Sequence, residues 1–370
     1  MTTNVLLLAA DDFISRIRLE PILAAAKEGG LIDAYALADR DMNLLGPDLP
    51  NRFSHVIAHR NLGSRQIGWL KRNRCPFLYD VDDFVLALPN DLEKGRWSRE
   101  AERIVWCLSA ARVVTATSRF LAREMGSVAG VDVIERFHML HNGLLPERSM
   151  LPRVGPARRA IWVSSDLPLI FNVMPDVVDG IADGVRRNGL DLTLIGRFPE
   201  AMTERLPVAE HIPFLPPAGL ARRLAESDDM IGLAPMVTGA DPDLQRFSDA
   251  KSDIKIVDFH GHGVPALFSA ARPYVESSIS PTMLVENTGT AWAQAIDRIA
   301  ADPAQALNQA TIGHVQAERS FQTLAHDFVA TALPLVRTDV SGRLPAFPSS
   351  LRRLEKGMRG VLRRKTVGRR

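Results

Sequence analysis

The segment Phe247-Ser-Asp-Ala-Lys-Ser-Asp-Ile-Lys-Ile-Val-Asp-Phe-His-Gly-His-Gly-Val-Pro265 carries the clearest architectural signal in the chain. A polar loop runs into a helix over 252–261, glycines end that helix, and an apolar run over 266–269 follows as a strand. A helix feeding a short apolar strand is half of a βαβ unit, and the same alternation recurs in both directions from here. In the second half of the chain strands are predicted at 161–163, 192–195 and 230–234, with a helix opened by Pro175, another at 220–226, and a last one at 291–301 ended by Asp302-Pro303. The first half predicts strands at 5–9, 34–37, 55–59, 77–79 and 113–116, and helices at 14–27, ended by Gly29-Gly30, and 101–111. The fold class is therefore α/β, with two Rossmann-like doubly wound domains facing a cleft lined by the C-terminal ends of both sheets. The turn dipeptide Asn142-Gly143 and a Pro- and Arg-rich stretch divide residues 1–148 from 149–332, and a linker and basic tail occupy 333–370.

Chemistry is concentrated at two places. Where the loop enters the 252–261 helix, backbone N–H groups, the Ser252 hydroxyl and the Lys251 and Lys255 ammoniums all favour an anion, as a diphosphate cradle would. Asp258, one or two turns further on, is placed to accept hydrogen bonds from ribose hydroxyls. The same residues also read as a capped surface helix with solvated lysines. The second place is Tyr79-Asp80-Val-Asp82-Asp83-Phe84, after the apolar run that starts at Pro76. Three carboxylates at a strand's C-terminal end suit a divalent cation or sugar hydroxyls, or cap a loop. His260 and His262, two apart near a helix end, have poor geometry for one metal, and none is assigned.

Composition sets the limits. The 370 residues are 46% hydrophobic and 24% charged, an ordinary globular balance, and a net charge of +2 with 6% aromatics excludes a general nucleic-acid footprint. Cys75 and Cys107 are too few for a disulfide framework and read as reduced thiols of a cytoplasmic protein. No signal peptide or membrane-spanning run is read. The charge is uneven: residues 351–370 hold nine Lys or Arg against Glu355 alone, while the other 350 residues carry 36 bases and 42 acids. Leu351, Leu354, Met358, Val361 and Leu362 recur there at helical spacing, which is the pattern of a peripheral helix on an anionic membrane, or of a solvated tail.

Taken in order, His59-Arg60, the run Phe77 to Asp83, Val114 to Ala122, Leu140-His-Asn-Gly143, Leu194-Ile-Gly-Arg197, Ile231 to Pro235, Lys251-Ser-Asp-Ile-Lys255 and Gly263-Val-Pro265 resemble the landmarks of the GT-B fold, nucleotide-sugar-dependent glycosyltransferases of the large retaining bacterial group. The resemblance spans residues 1 to about 330. It implies a nucleotide-sugar substrate held mainly by the second domain, a glycan or lipid-linked acceptor held by the first, and no cofactor. Arg197 would neutralise the diphosphate together with Lys251, Ser252 and Lys255, and Asp258 would stand where the family has its second ribose-binding Glu. Phe214 is a base-pocket candidate or an ordinary core residue; Trp292, Ile296 and Ile299 in the late helix read as core. In retaining members the acceptor attacks from the leaving-group face, so stabilising the departing diphosphate is the main need.

Two departures stand out. The family's commoner Glu-x7-Glu has Ala250 in place of its first acid, and the Gly-Gly loop after the first strand is replaced by Ala10 to Arg18. Arg18 would then face an acceptor phosphate from the first domain beside Asp80, Asp82 and Asp83, or be a surface helix arginine. The missing acid keeps open a silent GT-B-like binding or scaffold subunit, and Asp80 and Asp82 keep open a metal-dependent GT-A type transferase.

Overall fold

The computed structural model describes residues 2–10, 13–45, 52–86, 94–145, 155–164, 167–226, 228–239, 241–281 and 283–341. Seven strands come first: β1 Asn4–Leu8, β2 Ala34–Ala38, β3 Leu44–Leu45, β4 Arg52–His59, β5 Leu78–Val81, β6 Val113–Ala116 and β7 Phe137–Met139. They lie in the order β3-β2-β1-β4-β5-β6-β7, parallel throughout except for β3, which runs antiparallel on the edge. The next six are β8 Arg159–Val163, β9 Asp191–Ile195, β10 Val208–Ile212, β11 Met230–Ala234, β12 Ala266–Ser269 and β13 Leu284–Val285. Their order is β10-β9-β8-β11-β12-β13, and every pair is parallel. The expected α/β class with two doubly wound sheets is what the chain forms. Strands such as β2 and β11 are buried at every position, as continuous apolar runs covered by helices on both faces must be.

Helix packing in the second domain depends on small residues. A Cβ on Gly180 of the helix Pro175–Arg187 would stand 2.0 Å from the carbonyl oxygen of Gly289, which opens the helix Gly289–Ala301. That close crossing brings Trp292, Ile296 and Ile299 fully into the core, as expected of them.

The end of the described chain corrects the expected boundary at 332. The helix Phe321–Thr331 lays Phe321, Leu324, Ala325 and Phe328 against the helix Phe13–Glu28, in one apolar cluster with Val5, Leu7, Leu19 and Leu23. Leu333 and Val336 belong to the same cluster, and β14, Arg337–Ser341, pairs antiparallel with β4. Residues 321–341 therefore complete the first domain, because the apolar stripe of this helix, repeating at i, i+3, i+4 and i+7, covers the first sheet's helix. Among the described residues the chain crosses between domains at 140–145 and at 319–321. The crossings touch: the Leu144 amide donates to the Arg319 carbonyl at 2.7 Å, and a Cβ on Gly143 would lie 2.3 Å from the Phe321 ring.

Both cysteines are buried free thiols; burial pushes the Cys75 thiol up to about 11. Among the described residues no helix is long and apolar enough to cross a membrane. The basic stretch 351–370 lies outside the described residues.

Candidate active site at the domain junction

The second domain meets the first through residues 247–253. The helix Pro242–Asp249, capped by the Asp241 carboxylate, delivers Phe247 and the following Ala250 into the first domain's apolar cluster. Arg246 of the same helix pairs with Glu124 at 3.1 Å, and the Arg272 guanidinium lies 4.6 Å over the Phe120 ring. Held this way, Lys251 stacks its ammonium 4.1 Å above the Phe247 ring and reaches Asp83 Oδ2 of the first domain at 3.2 Å.

The helix expected from 252 starts later, at Ile254, and runs to Gly261. Asp253 at its N-cap position makes no side-chain cap; instead its carboxylate takes Arg319 Nη2 at 2.7 Å and the Ser277 hydroxyl at 2.7 Å. Ser252 thus stands ahead of the helix, where its oxygen accepts from Asn142 Nδ2 at 3.0 Å. Lys255 and Asp258 form an ion pair of 3.3 Å one turn apart, and Asp258 gives its carbonyl to His262 Nδ1–H.

Arg197 and Phe214 follow β9 and β10, at the same C-terminal edge of the second sheet. Gly196 has φ +128° and a Cβ there would lie 1.9 Å from the Ser164 carbonyl oxygen, so only glycine allows the turn that presents Arg197 to solvent. Phe214 is 65% exposed, which removes the core reading: β10 is an edge strand and its loop does not fold under the sheet.

On the first domain, two expected acceptor-side residues are buried against each other. Asp80 is fully buried and Arg18 2% exposed. Arg18 Nε and Nη2 hold the Asp80 carboxylate at 2.7 and 2.8 Å, and Thr115 donates to it at 2.7 Å. Arg18 also reaches Asn142 Oδ1 at 2.7 Å and the Leu140 carbonyl at 3.0 Å. It is neither a surface arginine nor open to an acceptor phosphate: the first helix turns it toward the sheet, where a carboxylate buried without a cation would be costly.

Asp82 and Asp83 remain at the junction, 15% and 25% exposed. Arg60 Nε stands 3.1 Å from Asp82 in an ion pair that misses hydrogen-bond alignment, and His59 Nε2 is 3.7 Å away. Burial works to raise the Asp82 pKa, but Arg60 and His59 outweigh it and hold the carboxyl well below the usual carboxylate range. Arg60 itself adopts φ +47°, an uncommon conformation for a side chain of this size. Asp83 caps the Phe84 amide with one oxygen and meets Lys251 with the other.

This arrangement weakens the metal reading of Asp80 and Asp82. Both Asp80 oxygens are engaged by Arg18 and Thr115, and among the described residues no three His, Cys, Asp or Glu side chains converge on a cation position. His260 is fully buried with neither ring nitrogen hydrogen-bonded, edge-on to Phe268 at 5.2 Å, and burial pushes its pKa down to about 3.

The junction also contains groups the sequence reading did not single out, Asp253 and Arg319, and a role for Asn142 beyond a turn. Asn142 had a signal in its Asn-Gly dipeptide; Arg319, in a polar run after Ala317, had none. A cavity of about 330 Å³ opens at the other end of the first sheet, between Thr2, Leu31, His55, Val329, Leu333 and Arg337, far from the groups described above.

No known family's sequence pattern matches the chain, and no curated protein matches it in sequence. Solved structures do match. Anabaena HepE, in complex with UDP and glucose, superimposes with a TM-score of 0.55 at 12% identity, over 89% of this chain and 99% of that one. A putative UDP-N-acetylglucosamine 2-epimerase from Listeria monocytogenes gives 0.51 at 12% identity, over 89% and 95%. AviGT4, a glycosyltransferase involved in avilamycin A biosynthesis, gives 0.50 at 12% identity, over 89% and 96%. What these share with the chain is the fold.

Proposed function

We propose that this chain, which has the GT-B fold, is a glycosyltransferase that moves a sugar from a nucleotide-sugar donor, with UDP the first nucleotide to test, to a glycan or lipid-linked acceptor. One observation carries the reading: the Lys251-Ser252 segment lies where the two domains meet, with its cation on the Asp83 carboxylate of the first domain. A donor held there has its diphosphate on Lys251, Ser252 and Lys255 and its sugar facing the first domain. Arg197 adds a further cation from the neighbouring loop, and the exposed Phe214 ring offers a face for the base.

As the glycosidic bond breaks, negative charge collects on the diphosphate, and fixed cations and a hydroxyl donor at that position stabilise it. Asp82, kept ionised by Arg60, and Asp83, released when Lys251 turns to the phosphates, accept hydrogen bonds from sugar or acceptor hydroxyls. In this reading the reaction is retaining and metal-independent, and the cytoplasmic protein docks on the inner membrane leaflet through residues 351–370.

The test starts with melting temperatures in the presence of UDP, GDP, ADP and dTDP sugars, since a ligand of the native state raises the midpoint. The donor that does so is then incubated with acceptors, and products are identified with and without EDTA. Transfer unaffected by EDTA is expected. Conversion of the donor to its epimer would support the activity named for the Listeria relative instead, and binding without turnover a silent subunit, the reading that the buried Ala250 in place of an acid favours.

A further inference from the structure

The junction contains a directed chain of hydrogen bonds that ends on Ser252. Asp80 is an acceptor only, fully buried and held by Arg18. Arg18 is a donor only, so the atom of Asn142 that meets its Nη1 at 2.7 Å is the amide oxygen. The amide nitrogen of Asn142 then faces the other way, 3.0 Å from Ser252 Oγ, and because that nitrogen only donates, the serine oxygen accepts. The Ser252 hydroxyl keeps one proton, and the arriving bond turns it away from Asn142.

We propose that Asn142 is a positioning residue that presets Ser252 as a hydrogen-bond donor to the diphosphate of a nucleotide-sugar; the inference rests on the donor-site reading given above. A diphosphate at neutral pH offers acceptors almost exclusively. A serine free to rotate would spend part of its time presenting lone pairs to that anion; a serine fed by an amide N–H presents its proton. The polarity originates in the first domain, on the buried Arg18–Asp80 pair, and crosses to the second through Asn142 of the connecting segment. Ser252 therefore takes its donor state only while the two domains are docked, so anion binding and domain docking favour each other.

Asn142→Asp tests this. The aspartate keeps the shape and the bond to Arg18 but offers only acceptors to Ser252, whose proton then points back at residue 142. The carboxylate also repels an anion through space, so the variant is made both with Ser252 and with Ser252→Ala. Calorimetric titration with UDP, or with whichever nucleoside diphosphate raises the wild-type melting temperature most, reads the result. The expected loss for Asn142→Asp is at least tenfold with Ser252 present, the lower end of what a hydrogen bond to a charged group contributes. In the Ser252→Ala background it should be threefold or less, the through-space part alone. Equal factors in both backgrounds would overturn the relay. Asn142→Ala, which adds no charge, should weaken binding about threefold with Ser252 and not at all without it; it serves if the aspartate variant folds poorly by circular dichroism. Wild-type protein that binds no nucleoside diphosphate would sink the donor-site reading and the relay together, whereas wild-type binding with equal factors sinks the relay alone.

Discussion

Lys251→Met deletes the charge that sits over the Phe247 ring and keeps a side chain of similar length. Two terms set the size of the effect. A charge-assisted hydrogen bond from an ammonium to a phosphate oxygen contributes about 1.5–3 kcal/mol. Against it stands the partner Lys251 gives up, Asp83 at 3.2 Å, with side chains 20% and 25% exposed. An ion pair that open to water contributes about 0.2–1 kcal/mol. The net loss is about 0.5–2.8 kcal/mol, so nucleoside diphosphate binding should weaken about 2- to 100-fold. The same arithmetic assigns Asp83→Asn the opposite sign: with the competitor gone, affinity should rise by up to about fivefold, and this gain should vanish in the Lys251→Met background. Calorimetry at low and high salt reads both, and Lys251→Met should also flatten the salt dependence. Affinity of Lys251→Met within twofold of wild type, or an Asp83→Asn variant that binds more weakly, would rule out Lys251 as a diphosphate ligand held back by Asp83.

Arg319→Met leaves the buried Asp253 carboxylate with the Ser277 hydroxyl alone and should cost about 3–5 kcal/mol in urea unfolding; a loss under about 1 kcal/mol would contradict the pairing. His260 has a folded pKa of about 3 against about 6.5 unfolded, so the unfolded chain binds the proton first, and stability present above pH 6.5 drains away as pH falls toward 3. Between pH 7 and 5 that is about 2 kcal/mol, which His260→Phe should abolish; parallel unfolding profiles for the two proteins would count against it. Deleting residues 351–370 should release the protein from anionic vesicles in a sedimentation assay, and unchanged pelleting would remove the membrane proposal.

The parts of the fold legible in the sequence are those where burial is total. Runs such as Val5 to Ala9 and Met230 to Ala234 have no polar residue to blur their boundaries, and the strands found there are Asn4–Leu8 and Met230–Ala234. The edge strands were silent: β10 alternates half-buried and exposed positions, and β3 and β13 have two residues each. Residues 333–341 read as the start of a linker because the Pro- and Ser-rich composition of 345–350 dominates that region, while pairing with β4 depends on tertiary context. At the candidate site, types and spacing singled out Lys251, Ser252 and the acid cluster. They could not tell which acids face the junction, because Arg18 lies 62 positions from Asp80, and only the folded chain shows that the two neutralise each other.

The return of the chain at Phe321 has a bearing on synthesis. A ribosome must emit residues through 341 before the first lobe can close its interior, so that lobe waits as an open sheet while the second, contiguous from Arg159 to Ala301, is free to fold behind it. Exchanging lobes between proteins of this architecture would then require moving the returning helix and its strand with the amino-terminal half.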